Sequence, residues 1–187
     1  VKKIFWNEIE LRPVWRLVIY IALVTVFVSL GIRAAIFVHL PRMRAGQITV
    51  TGVLVQELIS MIAVLGAAAI MGKLEGLPFG IYGLPGRSAF RSRFWLGVLW
   101  GLLMIGAMIL LIRVLGGFSL GDLALHGSAL WGYAGLWAIA FLFVGFFEEF
   151  MFRGYMQFTL ATRLGFWPAA TIFSAMFGAS HLRNSGE

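Results

Sequence analysis

The chain has 187 residues, of which 60% are hydrophobic and 12% charged, with a mean hydropathy of +0.92; a soluble domain is nearer half apolar and a quarter charged, so a water-soluble globular fold is excluded and an integral, multi-pass membrane protein is expected. Cysteine is absent, which excludes a disulfide framework and a thiolate metal site. The net charge of +7 suits basic loops held against an anionic leaflet. No basic patch is interleaved with exposed aromatics, so membrane lipid is an expected partner and nucleic acid is not.

A membrane helix needs about 20 apolar residues, and five such stretches follow in order. The run 17–32 is long for a signal-peptide core, and no small-residue cleavage pattern follows it; it belongs to a first span, 14–32. The second, 50–72, carries Gln56 and Glu57, read as interhelical hydrogen-bonding or cavity-lining residues. The third is 94–115. The fourth starts at Leu130, passes through Glu148 and stays helical to about 162; the fifth is 166–182. Segments 40–46, 73–93 and 116–128 are punctuated by Gly and Pro and read as loops. The Gly80 to Gly86 stretch lacks the lysine-serine ending of a phosphate loop and reads as a turn.

The expected fold is an all-α polytopic transmembrane bundle forming one membrane domain over 1–187. Lys and Arg divide ten against five in favour of a cytoplasmic N-terminus. Trp6, Trp15, Trp95, Trp131 and Trp167 lie near helix starts as interface anchors, and Arg33 and Arg113 are expected to snorkel outward. His39 and His126 fall in loops without a visible partner.

The chemistry concentrates in Glu148-Glu149-Phe150-Met151-Phe152-Arg153, which follows a charge-free run from Leu130 to Phe147. A charge at the centre of a membrane helix costs about 2.5–3.5 kcal/mol, and an intramembrane acid is a functional-site hypothesis by default. Glu149 and Arg153 are four apart and share a helix face. Glu148 is turned away and has Met151 and Phe152 one turn on. Burial without a near cation raises a carboxylate pKa toward the range of a general base. Glu148 is therefore the catalytic candidate and Glu149 the partner of Arg153. Counted from Leu130 at 1.5 Å per residue, Glu148 lies about 27 Å along the helix, near the cytoplasmic end.

In the fifth segment Ser174, Gly178 and His181 fall on one face, with Phe177 as a wall. His181 would meet Glu148 across the helix pair, and together they would hold and deprotonate a water. The alternative is a divalent metal such as zinc on Glu148 and His181; a catalytic zinc wants three protein ligands, and with Glu149 engaged, that reading needs a ligand beyond Glu187.

These two segments resemble the CAAX protease and bacteriocin-processing (CPBP, or Abi) family of intramembrane proteases. Its first motif, EExxxR, matches Glu148 to Arg153, followed by Gly154; its second, FxxxH, matches Phe177 to His181. The similarity covers roughly 130–184, where the protease core begins. The resemblance implies a hydrolase that cuts near the C-terminus of membrane-associated, in eukaryotes prenylated, proteins. Glu148 would be the catalytic base and His181 would position the water, with Glu149 and Arg153 in support. Both a metalloendopeptidase and a metal-free glutamate mechanism are argued for the family.

The family's later HxxxN or HxxxD motif, thought to stabilise the oxyanion, has no match. His39 is followed at the fourth position by Met43, His126 by Leu130 and His181 by Ser185. The sequence therefore reads as C-terminally truncated and, as a piece, inactive. Two other readings stand beside the peptidase: a non-enzymatic scaffold, immunity or regulatory protein on the same fold, and a transporter using the acids as a relay. The latter would call for inverted repeats or broken helices.

Overall fold

The computed structural model describes residues 11–43 and 47–182. Four residues of the Lys and Arg count (Lys2, Lys3, Arg44 and Arg183), the expected anchor Trp6, and Ser185 lie outside the described residues.

The chain folds as α1 (Pro13–Phe37), α2 (Val50–Glu75), two 3-10 turns (Phe79–Tyr82 and Gly86–Ser88), α3 (Ser92–Val114), α4 (Gly127–Glu149), a π-helical segment (Phe150–Met156), α5 (Gln157–Leu164) and α6 (Phe166–His181). No strand occurs among the described residues. Among the described residues four spans are long and apolar enough to cross a membrane: α1, α2, α3 and the continuous 38-residue rod from Gly127 to Leu164. With this composition the chain is an all-α polytopic membrane protein. The fifth expected span, α6, has 16 residues, about 24 Å of helix against a core of about 30 Å.

Local chemistry sets the boundaries. Pro13 opens α1, where its missing N–H would have had no partner anyway. Thr49 caps α2 by accepting the Gly52 N–H at 3.2 Å. Gly76, at φ 69°, ends it in the left-handed conformation, and the Leu77 N–H turns back to the Gly72 carbonyl at 2.8 Å; glycine takes this position without a Cβ penalty. Past Glu149 no proline or loop signal intervenes, so the helix runs through the π-helical turn and stops only at Gly165.

Helix α2 is the hub, packing on α1 and α4, while α5 packs on α6 and α1. Its inner face is built from Ser60, Ala63, Val64, Ala67, Ala68, Met71 and Gly72, all buried. Small residues at this spacing let neighbouring backbones approach closely where lipid offers no hydrophobic drive. Tyr20 and Val24 of α1 and Phe150, Tyr155 and Met156 of the π-helical segment complete the core. Helix α3 has no buried residue.

Candidate active site

Gly165 places the site. It adopts φ 82° and ψ 168°, a region open in practice to glycine alone, and reverses the chain between α5 and α6. Glu148 stands seventeen residues before it and His181 sixteen after. The two arms are nearly equal, so the hairpin returns His181 to the level of Glu148. Their side chains meet with Nε2 3.6 Å from Oε1. Glu149 and Arg153 are ion-paired across one turn, both more than half exposed.

The orientation of His181 is fixed from behind. Nδ1 lies 2.9 Å from the Phe177 carbonyl oxygen and 3.1 Å from the Ser180 hydroxyl, which itself donates to the same carbonyl at 2.7 Å. A carbonyl only accepts, so Nδ1 donates to it and Nε2 is the nitrogen turned toward Glu148. Phe177 packs its ring on the imidazole at 4.6 Å and edge-on to Phe152 at 5.4 Å, joining α6 to the π-helical segment.

Two cavities flank the acids. A small one of about 10 Å³ is lined by Glu148, Glu149, Phe152, Arg153, Phe173, Ser174 and Phe177, about the space of one water. A larger one of about 230 Å³ lies between Tyr82, Gly83 and Leu84 on one side and Phe146, Glu149, Phe150, Arg153 and Gly154 on the other. The Glu149–Arg153 pair borders both.

The helix continues past the acids as expected, to Leu164 against an expected end near 162, because α4 meets no breaker before Gly165. Ser174 lines the small cavity, but a Cβ at Gly178 would meet nothing, so no helix among the described residues uses that notch. Gln56 lines a cavity of about 250 Å³ with Arg42 and Ile59. Glu57 lies within electrostatic reach of Glu148, and its Oε2 is buried without a hydrogen-bond partner. Arg16, one of the ten Lys and Arg counted on the cytoplasmic side, is buried in α1 and ion-paired with Glu75. Tyr82 and Tyr155 donate to the same carboxylate. Burial, then the charge of Glu75, pushes the Tyr82 hydroxyl above its ordinary pKa, keeping it a donor. Sequence reasoning passed over this cluster because its members are 59 and 80 residues apart.

Among the described residues no group of three or more His, Cys, Asp or Glu side chains is placed to hold a metal. Glu148 and His181 are two donors, one short of a catalytic zinc set, and Arg153 occupies Glu149.

Residues 129–187 match the family model described as type II CAAX prenyl endopeptidase Rce1-like. The match contains both motifs and agrees with the resemblance drawn from the sequence. It covers the C-terminal third of the chain and makes that third similar to a CAAX-type protease family. No protein of curated function and no solved structure matches the chain.

Proposed function

We propose that this chain carries the Glu148–His181 centre of an intramembrane endopeptidase of the CAAX-processing type, resident in a bacterial plasma membrane with its N-terminus cytoplasmic. The observation that carries the reading is the 3.6 Å approach of His181 Nε2 to Glu148 Oε1 beside a cavity of one-water size. In this mechanism a water bridges the two groups from one side. Glu148 removes one of its protons while the lone pair of Nε2 accepts the hydrogen bond from the other. The oxygen attacks the scissile carbonyl and forms the C–O bond. The proton held by Glu148 then passes to the leaving nitrogen as the C–N bond breaks, and the carboxylic acid formed gives its proton to the released amine, leaving a carboxylate and an ammonium. Glu149 and Arg153 hold the helix turn beneath the base, and Phe177 holds the imidazole.

The substrate is the C-terminal region of a membrane-associated protein or peptide, with prenylated chains as the family's substrate type. The 230 Å³ cavity beside Arg153 gives an apolar substrate side chain a place near the acids. Cleavage of a membrane-tethered peptide by the full-length protein tests the reading. Loss of a positioned base costs about 10²–10⁴ in rate, so Glu148→Gln should turn over that much more slowly while remaining folded. Wild-type turnover in that variant would exclude the mechanism and favour a non-enzymatic scaffold or regulator.

A further inference from the structure

The carboxylate of Glu75, the last residue of α2, accepts hydrogen bonds from three other elements. Arg16 of α1 and the Tyr82 hydroxyl, at 3.3 Å, reach Oε2, and the Tyr155 hydroxyl of the π-helical segment reaches Oε1. The cluster is nearly sealed: the Arg16 and Glu75 side chains are 8% and 10% exposed, and Tyr82 and Tyr155 are fully covered. Tyr155 stacks on Tyr20 at 4.2 Å and leans on Tyr82 at 5.0 Å. Between Arg153 and Tyr155, Gly154 lies so close to the loop that a Cβ there would stand 2.9 Å from the Tyr82 carbonyl oxygen.

A buried ion pair is weak evidence for stability, because a well-packed apolar replacement often does as well. Position is the better explanation here. A π-helical turn is rare, tends to occur at functional sites, and here spans the stretch that bears Arg153. We infer that Glu75 and Tyr155 are positioning residues: the carboxylate, fixed by its ion pair with Arg16, holds Tyr155 and with it the register in which the π-helical segment presents Glu148 and the Glu149–Arg153 pair to α6. What that register serves rests on the peptidase reading; the anchor itself does not.

Tyr155→Phe removes one hydroxyl and keeps both ring contacts. Tyr82→Phe takes a hydroxyl from the same carboxylate but leaves the bond to the π-helical segment in place. Hydrogen–deuterium exchange on the full-length protein in lipid nanodiscs reads the anchor directly. With Tyr155→Phe, amides in 148–157 should exchange about tenfold faster, the effect of losing one hydrogen bond to a charged acceptor, while α1 and α2 keep wild-type protection. Tyr82→Phe should leave 148–157 near wild type. In the cleavage assay Tyr155→Phe should lower kcat by a similar factor with KM and folded fraction unchanged.

Wild-type exchange across 148–157 in Tyr155→Phe, or an equal effect from Tyr82→Phe, overturns the anchor. Faster exchange with wild-type kcat overturns the positioning role. If the wild-type protein cleaves nothing, the exchange result still decides the anchor and the peptidase reading falls alone.

Discussion

Glu148 and Glu149 are neighbours in sequence and differ in partner: one meets His181 of α6, the other Arg153 of its own helix. That division was legible because one residue turns a helix by about 100° and four residues restore the face. The Arg16–Glu75 pair was not, since nothing local joins a residue near the start of α1 to the end of α2. Its burial makes a specific prediction. Arg16→Met strands the Glu75 carboxylate and should cost about 3–5 kcal/mol of stability. The double variant Arg16→Met/Glu75→Met should recover most of that loss. Thermal unfolding in detergent measures both, and a double variant as unstable as the sum of the two singles would show that the pair is not coupled.

At the scale of elements, the spans followed from runs of about 20 apolar residues and from Gly and Pro at their ends. The π-helical turn had no such mark, because Phe150 to Met156 reads as ordinary helix and the contacts made there, Tyr155 with Glu75 and Gly154 against the Tyr82 carbonyl, are with residues distant in sequence. The hairpin at Gly165 is the element on which the site depends. Alanine cannot adopt its φ and ψ without strain, so Gly165→Ala should cost about 1–3 kcal/mol and move His181 away from Glu148. Both a lowered unfolding temperature and reduced cleavage are expected. Wild-type values for both would show that the turn tolerates a Cβ and that equal arms do not set the register.

Across the whole molecule, packing is uneven. The α2 face carries Ala67 and Ala68 with no exposed surface, while α3 buries none of its residues. Leu103→Ala in α3 should therefore change stability by less than about 0.5 kcal/mol. Ala67→Leu in α2 should cost about 1–3 kcal/mol through overpacking. Equal effects on unfolding temperature would contradict this division between hub and periphery. Hydropathy could not reveal it, since both spans are strongly apolar and both carry small residues, yet only those of α2 are met by a neighbour.

The central claim is that Glu148 and His181 act as one unit on one water. The most direct measurement is a double-mutant cycle on kcat/KM for a membrane-tethered peptide, comparing the full-length wild-type protein with Glu148→Gln, His181→Gln and the two combined. Residues that act as a unit are grossly non-additive; the double variant should be about as slow as Glu148→Gln alone. Independent, multiplicative losses, or wild-type turnover in either single variant, would contradict the claim.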